Sequence, residues 1–246
     1  MTTTITTAPR GTSALTAAIK KVIARENETK YLARDILNNV LFNSPVSSTS
    51  ELYACVPAMG VGTSSSERIG QTCRPRSCHI RGTVGLASDQ LTADVMVYMY
   101  VFTTNKFKSY PTLVSNFNIG DMLDTGLSST TNPTGTALVA TYPPEKEAIR
   151  LLSKKTFHLQ KGFGFQNQGG ATDTGVGGGS STMRHFNIKI KCPVTLKYDD
   201  SVAPSHANNF APVVCFGYYH TDGTSPDILT RAISVNLRSE LYYDDA

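Results

Sequence analysis

Apolar residues fall in short runs along most of this chain, and one stretch repeats at helical spacing. Leu15, Ala18, Ile19, Val22 and Ile23 line up as a single stripe behind Thr12 or Ser13, predicting an amphipathic helix over about 14–26. Three turns are marginal alone, so this helix needs a packing partner. Before it, residues 1–11 are Thr-rich with Pro9 and Gly11 and read as disordered. From Asp35 onward the runs are punctuated by Gly, Pro, Asn and Ser. They predict strands over 36–42, 51–56, 78–86, 94–103, 148–159, 185–196, 212–220 and 233–243, and a short helix within 113–123. The strongest run, Val95-Met96-Val97-Tyr98-Met99-Tyr100-Val101-Phe102, is almost unbroken, as in a strand buried on both faces. The Gly-rich stretch 162–182 reads as an exposed loop. It lacks the Gly-Lys-Ser/Thr ending and the strand-to-helix switch of a phosphate-cradling loop.

Eight strands, long connections, no alternating helices and no internal repeat predict an all-β chain. The form that fits is a single jelly roll, a two-sheet antiparallel sandwich with an N-terminal amphipathic helix or arm. The pattern alone does not separate a jelly roll from other Greek-key sandwiches. The division expected is an arm over 1–34 and a shell-like body over 35–246.

Charge sharpens that division. Charged residues make up 17% of the chain, below the roughly 25% usual for soluble domains. Residues 1–34 hold six basic residues against two acidic ones, and the remainder holds seventeen of each, so the whole net charge of +4 sits in the arm. Arg10, Lys20, Lys21, Arg25, Lys30 and Arg34 are therefore the candidate contacts to a polyanion, through phosphates and without base selectivity. A solvated helix face is the plainer alternative. Phe42, Tyr53 and Phe107 are candidates for stacking on unpaired bases, with core packing the stronger expectation.

The five cysteines, Cys55, Cys73, Cys78, Cys192 and Cys215, are odd in number. Met1-Thr2-Thr3-Thr4-Ile5 has neither the basic nor the apolar region of a secretory leader, and no stretch approaches a membrane span. Free, mostly buried thiols in a reducing compartment are expected. Cys73, Cys78 and His79 lack a second ligand pair for zinc, so no metal or cofactor is assigned. His79, His158, His185, His206 and His220 sit in no nucleophile motif, and the chain is read as a non-enzyme. The acidic pairs Asp199-Asp200 and Asp244-Asp245 fit solvated turns better than calcium sites.

Several short motifs stand in a meaningful order: Ala17-Ala18-Ile19-Lys20-Lys21-Val22-Ile23, then Glu28-Thr29-Lys30-Tyr31, Glu67-Arg68-Ile69-Gly70 and Ile80-Arg81-Gly82-Thr83-Val84. Val97 to Thr103, Lys191 to Asp199 and the closing Leu241-Tyr242-Tyr243-Asp244-Asp245-Ala246 follow. Together they resemble the capsid proteins of circular, Rep-encoding single-stranded DNA viruses, whose shells are similar to those of satellite necrosis viruses. The resemblance spans about residues 14–246. It implies a coat protein that self-assembles, in sixty copies, into a T=1 icosahedral shell and packages a single-stranded genome, DNA in preference to RNA. It also implies a virion location, assembly inside the host cell with the nucleus as one site, and a host receptor of unspecified chemistry. Arg74, Arg76 and Arg81 would add inward-facing charge. The departure is the arm, which opens on threonines where such capsids carry a dense run of arginines. A satellite-type RNA virus coat, or a lectin-like jelly-roll binding module, would share the fold; the absence of tryptophan weighs against sugar binding.

Overall fold

The computed structural model describes residues 29–43, 45–87, 94–126, 129–160, 183–199, 203–224, 226 and 231–245. The expected helix over 14–26 and the Gly-rich stretch 162–182 lie outside them. The strands are β1 (Lys30–Phe42), β2 (Tyr53–Ala54), β3 (Thr72–Leu86), β4 (Val95–Thr104), β5 (Leu123–Asp124), β6 (Thr130–Thr131), β7 (Ile149–Leu159), β8 (Arg184–Ile190), β9 (Leu196–Lys197), β10 (Val213–His220) and β11 (Ile233–Asp245). One short helix, α1 (Tyr110–Asn116), lies between β4 and β5. One sheet runs β1-β11-β3-β8, with β9 also on β3, and the second runs β2-β10-β4-β7; β5 and β6 form a small ribbon. The main pairings are antiparallel. The chain passes between the sheets at nearly every step, which is the double wrap of a jelly roll.

The long apolar run of β4 serves two cores at once. Val95, Val97, Met99 and Val101 face the five-stranded sheet, together with Val214, Phe216 and Tyr218 of β10. Tyr98, Tyr100 and Phe102 face the other way, into a second core with Leu113, Phe117, Met122 and Leu123 from the connection between β4 and β7. That connection is a third layer over the four-stranded sheet, which explains why β4 and β10 do not alternate. Each such side chain contributes roughly 1.5–3 kcal/mol on burial. The Tyr98 hydroxyl stays satisfied in the second core, donating to the carbonyls of Pro133 and Thr134, both at 3.2 Å.

Three boundaries differ from the sequence pattern. β1 starts at Lys30, so 30–34 of the expected arm are paired with β11. Register shifts around Leu37, and Asn39 at φ 52°, reset the alternation and hide the strand in the sequence. β2 is shorter than 51–56, because Ser48 caps a 3₁₀ turn over Thr49–Glu51 and Glu51 bonds back to the Ser48 backbone. The run 185–196 divides at Pro193, ending β8 at Ile190 and resuming as β9 at Leu196.

His206, in the β8–β10 connection, lies 4.7 Å from the Tyr110 ring and its Nδ1 bonds the Val56 carbonyl at 3.3 Å. Burial pushes its pKa below the ordinary 6.5; the Val56 bond opposes this and the Arg34 charge adds to it. The unfolded chain therefore takes the proton first. His206 contributes full stability above about pH 6.5 and loses it as pH falls through that value. Urea midpoints are expected to drop between about pH 7.5 and 5.5, and less steeply in His206→Gln.

Candidate functional site

Two networks of ion pairs stand out among the described residues, one where β1 begins and one on the open face of the five-stranded sheet. At the first, the last two residues of β11 hold the incoming chain. Asp244 accepts from Thr29 Oγ1 at 3.2 Å and from Arg76 Nε at 2.6 Å, with Arg76 Nη2 at 2.5 Å. Asp245 pairs with Lys30 Nζ at 2.7 Å and accepts the Ile69 amide at 3.3 Å. Lys30 also donates to the Glu67 carbonyl at 2.9 Å. Asp244 and Asp245 are thus bound to this chain's own cations and amides.

The turn 67–70 completes the corner. Glu67 accepts the Ser64 amide at 3.1 Å, and its hydrogen bonds with Ser64 lower its pKa. Arg68 is fully buried, donating to the carbonyls of Gly70 and Asp199, the latter at 2.6 Å, with its guanidinium carbon 4.9 Å from the Tyr198 ring centroid. The sequence marked a turn here; a buried cation at its centre had no signal in it.

Of the six basic residues expected at a polyanion, Arg10, Lys20, Lys21 and Arg25 lie outside the described residues. Lys30 points into the corner just described, because strand alternation turns it inward with Leu32. Arg34 is exposed on the edge strand β1, opposite Ser239.

The uncovered face is built from three cross-strand rungs. Tyr31, Tyr242 and Ser77 form the first; Ala33, Glu240, His79 and Lys189 the second; Asp35, Arg238, Arg81 and Asn187 the third. The rings of Tyr31 and Tyr242 pack at 4.7 Å and 39°. Glu240 lies beneath two arginines, 3.5 Å from Arg81 and 3.6 Å from Arg238, with its side chain 9% exposed against 50% for each arginine. Arg238 also reaches Asp35 at 3.2 Å and bonds the Tyr31 side chain. His79 Nδ1 lies 3.3 Å from Asn187 Oδ1. Beside the third rung is a groove of ≈ 260 Å³ lined by Asp35, Asn38, Arg81, Thr83, Asn236 and Arg238, among others.

Arg81 could be placed from its own strand. Its companions could not, since register between distant strands leaves no mark in sequence. Phe42 lies in the main core, Tyr53 packs partly buried against it and Phe107 against the second. The exposed aromatics are instead Tyr31 and Tyr242, which the sequence offers only as members of its motifs and not as stacking candidates. Cys55, Cys73, Cys78 and Cys215 are buried free thiols and Cys192 is half-buried; burial raises Cys73 to about 12. Cys78 and His79 point to opposite faces of β3, and among the described residues no three potential ligands converge as a metal site. Among the described residues no helix is long and apolar enough to cross a membrane.

No family model and no curated protein matches the chain. Among solved structures it is similar to a chain of the Macrobrachium rosenbergii nodavirus, at 11% identity and a TM-score of 0.37, covering 100% of this chain and 60% of that one. It is also similar to a chain of the semi-empty virus-like particle of that prawn nodavirus, at 11% identity, TM-score 0.35 and coverage of 88% and 92%. A third is a chain of the full particle of Israeli acute paralysis virus heated to 63 degrees, at 9% identity, TM-score 0.32 and coverage of 98% and 79%. None exceeds a TM-score of 0.37, and the fold assignment rests on the strand order itself.

Proposed function

We propose that this chain is a viral coat protein, a jelly-roll subunit that assembles with copies of itself into a closed shell around a single-stranded genome. The observation that carries the reading is the pairing of a β1-β11-β3-β8 and β2-β10-β4-β7 sandwich with a basic segment leading into its first strand. Asp244 and Asp245 hold Thr29 and Lys30, the residues that follow directly on the basic segment of the sequence.

The surface adds support. Ile69, Leu138 and Val194 are 64%, 65% and 77% exposed. Ile69 and Val194 lie on the β2–β3 and β8–β9 connections, which the pairings of β3 with β8 and β9 bring to one end of the sandwich, and Leu138 lies in the layer over the four-stranded sheet. Exposed apolar anchors suit contact with a neighbouring copy, and closed symmetry repeats each contact.

The sequence resemblance supplies the finer terms: a circular DNA cargo, sixty copies and a virion location. Light scattering coupled to size exclusion, with the 260/280 nm ratio read across the peak, tests them. Sixty chains of 26.6 kDa are expected at about 1.6 MDa, with nuclease-protected cargo that DNase degrades once extracted. A monomer or small oligomer free of nucleic acid across salt and pH overturns the shell reading, and RNase-sensitive cargo overturns the DNA assignment alone. Converting Lys20, Lys21 and Arg25 together to Gln is expected to lower cargo content and to reduce the salt slope of oligonucleotide binding by about 2, at about 0.7 per lost phosphate contact.

A further inference from the structure

We propose that the uncovered face of the five-stranded sheet is itself a platform for single-stranded nucleic acid, with Tyr31 and Tyr242 receiving bases and Arg81, Arg238 and Lys189 receiving phosphates. This rests on the shell reading for its biological setting but not for its chemistry. The four-stranded sheet is covered by the chain's own β4–β7 connection, whereas none of the described residues forms a layer over this face. It offers little for a protein partner: apart from the two tyrosines, its large exposed apolar side chains among the described residues are Leu41 and Met183, both at the far end from the tyrosines. A subunit contact needs a desolvated apolar centre.

The face instead presents cations held up by buried anions. Arg81 and Arg238 share Glu240, which the pair shields from solvent, so guanidinium groups are what a ligand meets. Lys189 stands on β8, opposite His79 and one rung from Arg81. His185, opposite Thr83, extends the basic edge, and Asp35 is the exposed carboxylate opposing it. Arg76 and Asp244 neutralise each other beside Tyr242. Two tyrosines 4.7 Å apart at one margin, with arginines two rungs away, combine a stacking surface with a phosphate track. Bases with free faces are needed for that stacking, so the surface suits unpaired strands. The path is continuous with the basic arm, because Tyr31 is the second residue of β1.

The full-length protein is titrated into a fluorescein-labelled thymidine oligonucleotide, read by anisotropy across a salt series, with assembly followed in parallel by light scattering. Arg81→Gln/Lys189→Gln is expected to weaken binding about tenfold at low salt and flatten the salt slope by about 1.4, for two lost contacts at about 0.7 each. Tyr242→Ala is expected to weaken binding at least fivefold with the slope unchanged, and Tyr242→Phe to bind like the parent, since stacking needs the ring alone. If the double variant misfolds, Lys189→Gln alone, at an exposed position, carries the slope test with a change of about 0.7. Parent-like binding by soluble Arg81→Gln/Lys189→Gln and Tyr242→Ala overturns the platform. So does loss of assembly with binding intact, which makes the face a contact between copies. A parent that binds with these signatures yet never forms particles supports the platform and overturns the shell reading instead.

Discussion

Replacing Arg68 by alanine is expected to cost about 3–5 kcal/mol of stability. The guanidinium satisfies the carbonyls of Gly70 and Asp199 from a position with no solvent exposure and lies over Tyr198. Its loss removes two hydrogen bonds from a charged donor, at about 1.5–3 kcal/mol each, and opens a void against the tyrosine ring. Arg68→Lys should recover little of this. One ammonium cannot bond two separated carbonyls in a plane and stack at the same time. Urea denaturation of the three proteins is the measurement, and midpoints for Arg68→Ala within experimental error of the parent would refute a clasp at this corner. The corner also joins β9, the turn 67–70 and the C-terminal end of β11, so loosened Arg68 variants should lose assembly before they lose the sandwich.

Gly82→Ala is expected to be as severe for a different reason. A Cβ at this position would sit 2.1 Å from the Asn236 carbonyl oxygen and 2.6 Å from Phe186 Cζ. The phenyl ring can swing; the carbonyl belongs to β11, which is paired with β3 along thirteen registered positions, and cannot retreat without breaking that ladder. Overpacking typically costs about 1–3 kcal/mol and more where backbone must move. Thermal unfolding, compared with Gly85→Ala on the same strand, separates the clash from the loss of glycine flexibility. A Cβ at Gly85 meets nothing nearer than 4.0 Å, so a comparable loss in both variants would sink the steric account.

These two residues show where sequence reading stops. Strands over 94–103, 212–220 and 233–243 were legible because their apolar runs are dense, and β4, β10 and β11 lie within two residues of those bounds. β1 was half-hidden, since Lys30, Arg34 and Asp35 make its first half look like arm and two register shifts spoil the period of its second half. The second core was invisible, because Leu113, Phe117, Met122 and Leu123 are spaced along an irregular connection with no period to follow. Arg68 looked like any turn arginine, its burial decided by Asp199, more than a hundred residues away. The open face needed the register of four strands at once. Local propensity gave the strands and the sandwich; long-range pairing gave the clasp and the face.

The partnership of β1 with β11 also sets a timetable. The first strand has no sheet neighbour until the last is made, with Lys30 opposite Tyr243 and Phe42 opposite Ile233. During translation β2, β4, β7 and β10 can associate earlier, so the four-stranded sheet and its covering layer are available before the five-stranded sheet can close. Closure of such distant pairings is slow, and the unpaired edge it leaves is prone to aggregation. A nascent chain therefore leaves β1 unpaired until β11 emerges, and only a finished subunit offers a complete five-stranded sheet.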